Sequence, residues 1–236
     1  MEKRELLYRG KAKDIYATDN PDVCVMRYRD DLTALNGGKK GSFPGKGALN
    51  RRISDMIFAF LETGGVKTHF IKTINEYEVL IRKVHILPLE VIVRNIAAGS
   101  FSKKYGVPEG KPLKMALLEF SLKDDALGDP MISPSHAIAL ELVTEEQLNQ
   151  ISGVAMGINN LLKALFDRVN LTLVDFKIEF GTGSGGNILL ADEITPDTCR
   201  LWEKDAGVKM DKDRFRQDLG GVEEAYREVA NRLANY

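Results

Sequence analysis

The 236-residue chain contains only two cysteines and three histidines, the residue types that most often bind transition metals. Cys24 and Cys199 show no metal-ligand spacing, and a single pair does not make a disulfide framework. His69, His85 and His136 lie far apart along the chain and form no HExxH-type motif. We therefore expect each histidine to be a packing or surface residue rather than a metal ligand.

The sequence also lacks long apolar runs and an excess of either charge. No apolar run approaches the length of a membrane span, and the first ten residues, MEKRELLYRG, lack the apolar core of a secretory signal. Lysine and arginine number 33 against 34 aspartates and glutamates, for a formal net charge of −1. Binding to a nucleic-acid backbone requires a basic excess, whereas a small phosphate ligand requires only local positive charge. The sequence therefore predicts a cytoplasmic protein with no membrane partner and no nucleic-acid partner.

The N-terminal part has the pattern of an antiparallel sheet. Short apolar runs between Leu6 and Tyr28 and between Thr68 and Val84 predict strands, and a helical pattern runs from Ala48 to Gly64. Before that helix, Asp30–Gly47 holds five glycines and a proline, a composition that is not typical of regular structure. We interpret this segment as either a mobile surface loop or a lid over a ligand.

A basic turn with the sequence RGKAK follows the first apolar run. Lys11 and Lys13 lie two residues apart, so in extended backbone both side chains can point at one anion, and Gly10 allows that anion to approach closely. The GxxxxGK[ST] pattern of a Walker A loop is absent. The turn is therefore either part of a phosphate site or a solvated turn at a sheet edge.

Pro88 interrupts a β-rich run, so we predict a connector at the proline and a new strand at Leu89–Val93. Arg94 and Ser100 follow directly, where the strand ends and the chain turns. An arginine with forked donors, a serine hydroxyl and free backbone N–H groups suit a phosphomonoester. A helix start with an incidental arginine would show the same pattern, so both interpretations stay open here.

Three charged residues alternate along a predicted strand late in the chain. Within Leu171–Ile194, two apolar runs flank a glycine-rich loop at 181–187, which predicts a β-hairpin. Asp175, Lys177 and Glu179 leave one face of its first strand, while apolar residues take the other. Such a charged face is costly to bury. It indicates either a site where carboxylates hold a divalent cation beside an ammonium group, or an exposed strand face with salt bridges.

The second predicted strand of this hairpin, Asn187–Ile194, ends in the acidic pair Asp192 and Glu193, and a shared metal site would require a particular register for Asp192. Paired residues share a face, so Asp192 reaches the charged face only if it pairs with an odd-numbered residue, most simply Asp175. In that register Leu189 and Ala191 lie on the apolar face and Leu190 lies toward the charged face.

The remaining C-terminal sequence predicts two helices and a charged loop. A capping box begins at Thr144 and opens an apolar stripe from Leu148 to Leu165, which predicts a core helix packed on a sheet. A last amphipathic helix is expected after Gly221. We interpret Thr195–Trp202 as a loop that carries Arg200.

Six segments together resemble the motifs of the SAICAR synthetase (phosphoribosylaminoimidazole-succinocarboxamide synthase) family. They run nearly from end to end in the family's order and spacing, and they are YRGKAKDIY, PLEVIVRNIAAGS, KDDALGDPMI, LVDFKIEFG, LADEITPDTCRLW and MDKDRFRQDLGG. The resemblance implies an α+β, two-lobed fold. An ATP cleft would separate an N-terminal antiparallel-sheet lobe, residues 1–87, from a larger α+β lobe, residues 88–236. It also implies an ATP-dependent ligase of de novo purine biosynthesis, which joins the carboxylate of carboxyaminoimidazole ribotide (CAIR) to the amino group of L-aspartate.

The resemblance assigns roles to individual residues, with ATP and Mg²⁺ as cofactors. The implied ATP-binding residues are Lys11, Ala12, Lys13, Lys83, Ile86, Lys123, Glu179 and Asp192, and the backbone of 83–87 would meet the adenine. The implied Mg²⁺ ligands are Glu179 and Asp192, and the implied catalytic residues are Lys177 and Asp175. The implied CAIR-binding residues are Arg94, Ser100, Asp129 and Arg200. A homo-oligomer, a dimer in the simplest case, is expected, and the role of Asn36 is left open because some family members have an aspartate there.

The chemistry of ligation fits these residue types. A carboxylate does not react usefully with an amine in water, because its oxygen is a poor leaving group. Transfer of the γ-phosphoryl group of ATP to the carboxylate gives an acyl phosphate, which the aspartate nitrogen can attack. That transfer needs electrostatic neutralisation, which Mg²⁺ and fixed lysines supply, rather than a nucleophilic side chain. No Ser-His-Asp or Cys-His constellation is visible in the sequence.

Two other functions stay open at this point. A kinase would share the two-lobed plan, but the HRDxxxxN motif and a VAIK-like strand are absent. A non-catalytic nucleotide-binding regulator would not need a second anion site at Arg94, Ser100 and Arg200. Release of ADP that depends on aspartate separates the ligase from both alternatives.

Overall fold

The computed structural model of the protein describes residues 1–34 and 37–236. Asn36, whose role the sequence left open, lies outside the described residues. The described chain combines antiparallel sheets with helices, which confirms the predicted α+β class.

Two larger antiparallel sheets and one small sheet organise the strands. The first sheet contains β1 (Lys3–Arg9), β2 (Lys13–Thr18), β3 (Val23–Tyr28), β6 (Phe70–Thr73) and β7 (Glu78–Arg82), in the order β1-β2-β3-β7-β6. The second contains β8 (Val84–Ile96), β9 (Pro112–Leu122), β10 (Met131–Ile132), β11 (Leu171–Gly183) and β12 (Ile188–Ala191), in the order β10-β9-β8-β11-β12, with β13 (Cys199–Glu203) paired to β11. The small sheet pairs β4 (Asp31–Ala34) with β5 (Lys39–Ser42).

The helices are α1 (Lys46–Thr63), α2 (Gly99–Tyr105), α3 (Pro134–Ala139), α4 (Glu145–Arg168), α5 (Asp213–Arg216) and α6 (Val222–Ala234). The capping box that opens α4 is confirmed, since the Gln147 N–H donates to Thr144 Oγ1 at 3.1 Å and the Thr144 N–H donates to Gln147 Oε1 at 2.9 Å. No helix within 1–34 and 37–236 is long and apolar enough to cross a membrane.

The main core lies between the second sheet and helices α1, α4 and α6. Ile158 and Leu162 of α4 pack in this core with Phe176, Ile178 and Phe180 of β11, and all five are essentially inaccessible to solvent. Burial of each such side chain stabilises the fold by roughly 1.5–3 kcal/mol. Because the even-numbered residues of β11 serve the core, its odd-numbered residues 175, 177 and 179 are left for the opposite face.

The β11–β12 hairpin forms as predicted, but the predicted register is wrong. Phe180 pairs with Leu190 and Glu179 pairs with Ala191, so Leu190 lies in the core and Ala191 shares the face of Glu179. Burial of the larger leucine decides the register. The same register would turn Asp192 into the core, but β12 ends one residue earlier, and Asp192 takes a left-handed φ of 61°. Its side chain lines a cleft instead.

Strand β8 runs without a break through Pro88, so the predicted connector there is wrong. The β8–β11 register shifts between Glu90 and Ile86, and Pro88 lies inside this irregular stretch. A residue without an N–H is tolerated where the hydrogen-bond ladder is already interrupted. The Pro88 carbonyl accepts a hydrogen bond from the Lys123 N–H at 3.0 Å.

The glycine-rich segment is more regular than its composition suggests. Strands β4 and β5 pair over four residues each, and α1 already begins at Lys46. Gly41 shows why glycine is present in a strand, since a Cβ added there would lie 3.2 Å from Phe215 Cζ. Close packing, rather than irregular structure, therefore accounts for this glycine.

The expectation of a loop around Arg200 is also wrong, because Arg200 lies on β13 opposite Asp175.

Candidate active site

A cavity of about 800 Å³ opens between the first and second sheets. Thirteen of the site residues that the family resemblance implies line it, namely Lys11, Ala12, Lys13, Lys83, Ile86, Arg94, Lys123, Asp129, Asp175, Lys177, Glu179, Asp192 and Arg200. The remaining one, Ser100, is exposed in the first turn of α2 and does not line the cavity.

The wall contributed by the first sheet is largely apolar. Its lining residues include Ile15, Cys24, Met26 and Ile81, and Ile86 of β8, in the second sheet, also lines the cavity. Apolar walls with a few polar groups suit a flat heteroaromatic ring. Of the segment expected to meet adenine, Lys83 and Ile86 border the cavity, whereas Leu87 belongs to the main core.

Lys13, at the start of β2, forms a buried ion pair with the end of the hairpin. Its Nζ donates to the Asp192 carboxylate and, at 2.7 Å, to Glu193 Oε1. Burial disfavours the ammonium ion, but the two carboxylates outweigh it and raise the pKa of Lys13. Burial likewise opposes the Asp192 anion, but Lys13 and Lys177 lower the pKa of that carboxyl. Lys11 lies nearer the mouth, where it donates to Asp125 Oδ1 at 2.7 Å.

At the centre of the cleft, two lysines donate hydrogen bonds to the carboxylate of one glutamate. Lys177 Nζ donates to Glu90 Oε1 at 2.7 Å and to Glu179 Oε1 at 2.9 Å, and Lys123 Nζ donates to the same Glu179 oxygen at 2.9 Å. Burial works against the charge of Lys177, yet Glu179, Asp192 and Glu90 raise its pKa well above the usual range. Lys177 is therefore an ammonium ion at neutral pH and cannot accept a proton.

The carboxylates of Glu179 and Asp192 form a donor set that fits Mg²⁺. Both line the cleft, both interact with Lys177, and carboxylate oxygens are the hard ligands this ion prefers. No group of three His, Cys, Asp or Glu side chains converges on a metal position in the described parts of the chain. An ion held by two carboxylates needs its other ligands from water and phosphate oxygens, which is the usual state of Mg²⁺ in nucleotide sites.

Asp175 joins two arginines at the other end of the cleft. Its Oδ2 accepts hydrogen bonds from Arg94 Nη1 at 2.7 Å and from Arg200 Nη1 at 2.8 Å. Arg94 is held further by Glu119, at 2.5 Å from its Nε. Gly99 packs against the second arginine, and a Cβ added there would lie 2.6 Å from Arg200 Cζ. Two adjacent guanidinium groups with unused donors make this end suited to a phosphate dianion.

Ser100 lies beside this arrangement, whereas Asp129 borders the cleft from the turn between β9 and β10. Ser100 directly follows Gly99, so it is close to the arginine pair although it does not line the cavity. Asp129 has a left-handed φ of 50°, and its Oδ1 accepts a hydrogen bond from the Asp124 N–H at 3.0 Å. One carboxylate oxygen of Asp129 therefore stabilises the turn that contains it, and the side chain also borders the cleft.

Comparison with known proteins identifies the family of this chain. The family model described as SAICAR synthetase matches residues 6–233. A phosphoribosylaminoimidazole-succinocarboxamide synthase of Finegoldia magna is 56% identical over 229 residues, which cover 97% of this chain and 99% of the relative. The chain belongs to the SAICAR synthetase family.

Solved structures agree with this membership. The crystal structure of phosphoribosylaminoimidazole-succinocarboxamide synthase from Ehrlichia chaffeensis superposes with a TM-score of 0.95 at 44% identity, over 98% of each chain. A type-2 SAICAR synthetase in complex with ADP superposes with the same TM-score at 42% identity, again over 98% of each chain. The two-lobed fold expected of the SAICAR synthetase family is thus confirmed.

Several cleft residues of this chain were missed by sequence reasoning. Glu90 continues the alternation that ends at Arg94 on β8, so the spacing in the sequence contained a signal for it. His69 also lines the cavity from the segment before β6, and Lys212 and Arg216 line it from the segment around α5. No local pattern marks His69. His69 is buried against Phe58, and burial lowers its pKa to about 4, so it is neutral.

Proposed function

We propose that three groups of side chains in the cleft have separate roles: one binds the phosphate of CAIR, one stabilises the charge of the reacting groups, and one binds ATP with Mg²⁺. The chain is an ATP-dependent carbon–nitrogen ligase of de novo purine biosynthesis, which joins CAIR to L-aspartate and gives SAICAR, ADP and phosphate. The alternation on β11 carries the assignment, because Asp175, Lys177 and Glu179 enter one cavity from one strand. Residues two apart on a strand are separated by about 7 Å. The arginine pair held by Asp175, the Lys177 ammonium group and the Glu179 carboxylate therefore lie in sequence along β11. Their separation matches the distances between the charged groups of a phosphorylated small molecule.

The arginine pair binds the 5′-phosphate of CAIR in this proposal. Arg94 and Arg200 offer the remaining donors of two forked groups, and Asp175 holds them at one place. Ser100 lies next to the pair and Asp129 borders the same cleft, and both contribute to the CAIR site in this proposal. Asp175 thus acts by positioning the arginines.

Lys177 stabilises the negative charge that develops on the reacting groups. Its raised pKa keeps it cationic, so its role is electrostatic and it is not the base that removes the amine proton. The carboxylate of CAIR would lie at Lys177 when the ribotide phosphate is at the arginines, since the two sites are neighbours on β11.

ATP binds across the first sheet in this proposal. The adenine lies against the apolar wall near Lys83 and Ile86, and Lys11, Ala12, Lys13 and Lys123 surround the phosphates. Glu179 and Asp192 would hold Mg²⁺, which neutralises the charge of phosphate oxygens during phosphoryl transfer. The cytoplasm as the place of action and a homodimer as the assembly remain expectations, and sedimentation of the purified chain tests the second.

A coupled assay of ADP release tests the proposed reaction. ATP with both CAIR and L-aspartate should give ADP and SAICAR in equal amounts, and the omission of either substrate should stop SAICAR formation. A kinase or a nucleotide-binding regulator would not need aspartate for ADP release. Sustained ADP release that is unchanged without aspartate would therefore contradict the ligase.

A further inference from the structure

One carboxylate of the cleft, Glu193, has no role in the groups described above. It lines the cavity beside Asp192, and Lys13 donates hydrogen bonds to both carboxylates. We propose that Glu193 is a positioning residue, which holds Lys13 at the phosphate site when Asp192 exchanges Lys13 for the metal ion. The proposal rests on the function above, because it takes Lys13 as a phosphate contact and Asp192 as a ligand of Mg²⁺.

Both carboxylate oxygens of Glu193 already have protein partners. Its Oε1 accepts from Lys13 Nζ at 2.7 Å, and its Oε2 accepts from Thr195 Oγ1 at 3.1 Å. The backbone carbonyl of Glu193 accepts a further hydrogen bond from Thr198 Oγ1 at 3.3 Å. Glu193 is only 2% exposed, and Thr195 is fully buried. These contacts hold the glutamate in one position and leave it poorly suited to bind a ligand of its own.

Asp192, the adjacent residue, has the opposite properties. Within residues 1–34 and 37–236, Lys13 is the only group that donates a hydrogen bond to the Asp192 carboxylate. The left-handed φ of Asp192 places its side chain in the cleft, where 17% of the side chain is exposed, against 3% for Glu193. One ammonium group is therefore shared by a fixed carboxylate and by a carboxylate that can change its partner.

Lys13 needs a permanent counter-charge because it is buried. Burial alone would lower the pKa of Lys13, and the carboxylates of Asp192 and Glu193 raise it. Once Asp192 binds a metal ion, Glu193 is the remaining fixed carboxylate at Lys13. An ammonium group has three donor hydrogens, so Lys13 can keep its bond to Glu193 and direct another donor at a phosphate oxygen.

Removal of the Glu193 charge should therefore strengthen the wrong contact. Asp192 would then be the only anion bonded to Lys13, and an unshared ion pair is strong in the low dielectric of a buried site. A metal ion would have to compete with Lys13 for the Asp192 carboxylate. The proposal thus predicts weaker metal binding in a variant of Glu193, although Glu193 is not itself a ligand.

A double-mutant cycle tests this role. Glu193→Gln removes the charge and keeps the shape, Glu193→Asp keeps the charge and shortens the reach, and Glu193→Gln is also combined with Lys13→Met. Glu78→Gln is the matched control, because Glu78 forms an ion pair with Lys3 in the first sheet and does not line the cavity. The equilibrium measurement is the dissociation constant of Mn²⁺, an EPR-visible substitute for Mg²⁺, from the chain saturated with ADP. The kinetic measurement is the Mg²⁺ concentration that gives half-maximal ADP release, and urea denaturation shows that each variant is folded.

Glu193→Gln should raise the Mn²⁺ dissociation constant by about 10-fold, the usual effect of one charged hydrogen bond, and should raise the half-maximal Mg²⁺ concentration in parallel. Glu193→Asp should cause a smaller rise, and both the control and the KM for CAIR should stay within about twofold. In the Lys13→Met background, Glu193→Gln should change Mn²⁺ binding by less than about twofold, because the proposed effect acts through Lys13.

Two results would overturn the proposal. One is Mn²⁺ binding that neither substitution of Glu193 changes, and the other is an equal loss with and without Lys13, which would show that Glu193 acts on the metal directly. Normal Mn²⁺ binding by Asp192→Asn would instead reject the metal site of the proposed function, and absence of SAICAR formation by the unsubstituted chain would reject the ligase. These failures are distinguishable, because each appears in a different variant.

Discussion

Asp175 lies between the guanidinium groups of Arg94 and Arg200, and this contact could not be read from local sequence. The alternation of Asp175, Lys177 and Glu179 predicts that the three share a face, and this is confirmed. The partner of each side chain is decided by pairing with β8 and β13, strands that are far away in sequence. Residue spacing therefore finds the members of the site, and tertiary pairing decides which of them neutralise one another.

Glu179 and Asp192, the proposed metal ligands, provide the first prediction at the residue scale. Glu179→Gln and Asp192→Asn should each lower the rate of ADP release by about 100- to 1,000-fold at ordinary Mg²⁺ concentration, because each removes one fixed charge from phosphoryl transfer. Circular dichroism should show a folded chain in both cases. Near-normal turnover in either variant would exclude that residue as a metal ligand.

Asp192 also calls for a careful choice of substitution. Its φ of 61° is tolerated by asparagine and strained for alanine. Asp192→Ala should therefore be less stable than Asp192→Asn by about 1–2 kcal/mol in chemical denaturation. Loss of activity in the asparagine variant can thus be attributed to the charge.

A pair of glycines tests the placement of Arg200. Gly99 and Gly106 both have left-handed φ, at 55° and 64°, so alanine at either position should cost about 1–2 kcal/mol of stability. A Cβ at Gly99 would also collide with Arg200, whereas a Cβ at Gly106 would have no neighbour within 4 Å. We expect Gly99→Ala to raise the KM for CAIR and Gly106→Ala to leave it unchanged. Equal KM values in the two variants would argue against a role of Arg200 in binding CAIR.

Asp211 predicts a pH dependence of stability. It is fully buried beneath Leu201 and Asp213, whose N–H groups it accepts at 2.9 and 2.7 Å, and burial together with the charge of Asp213 raises its pKa to about 7. Between about pH 4 and pH 7 the folded chain holds a proton that the unfolded chain has released. The free energy of unfolding should therefore fall as pH rises through this range, by up to about 4 kcal/mol from this group.

Urea denaturation at pH 5 and pH 8 measures this contribution. Asp211→Asn cannot titrate, so its free energy of unfolding should change less between the two pH values than that of the unsubstituted chain. Asp205→Asn, at an exposed position in the turn after β13, is the control and should leave the pH dependence unchanged. A pH dependence that Asp211→Asn leaves intact would show that other groups cause it.

At the scale of secondary-structure elements, sequence motifs predicted the structure correctly where contacts between residues close in sequence determine it. The capping box at Thr144, the glycine stop of α1 and the β11–β12 hairpin all follow from neighbouring residues, and all are confirmed. Pro88 and the β4–β5 segment were misjudged, because a bulge in strand pairing and contact with Phe215 determine them. The register of Asp192 failed for a related reason, since core burial of Leu190 took precedence and a left-handed residue then restored the side chain to the cleft.

The β4–β5 hairpin provides a prediction at this scale. Thr33, Ala34 and Gly37 line the cavity, so bound ligands should contact the hairpin and restrict its opening. Trypsin should cut after Lys39 or Lys40 more slowly when ATP and CAIR are present. Cutting after the exposed Lys204 serves as the internal control and should not change. Equal rates at the hairpin with and without ligands would remove the lid interpretation.

At the scale of the whole molecule, the two sheets contribute different properties to one cleft. The first sheet supplies apolar walls and Lys11 and Lys13, and the second supplies the charged face of β11 with its arginine pair. A nearly neutral chain thus concentrates opposite charges in one cavity, where low dielectric strengthens them. The arrangement suits the proposed reaction, in which a phosphate group moves from a nucleotide on one sheet to a carboxylate held on the other.

The most direct test of this account follows an oxygen atom. CAIR labelled with ¹⁸O in both carboxylate oxygens is incubated with the protein, ATP and L-aspartate, and the released phosphate is examined by mass spectrometry. If the carboxylate is phosphorylated and the aspartate nitrogen then displaces phosphate, one ¹⁸O should appear in each phosphate and one should remain in the amide of SAICAR. Phosphate without ¹⁸O, with ADP formed at the normal rate, would contradict phosphoryl transfer to the CAIR carboxylate in this cleft.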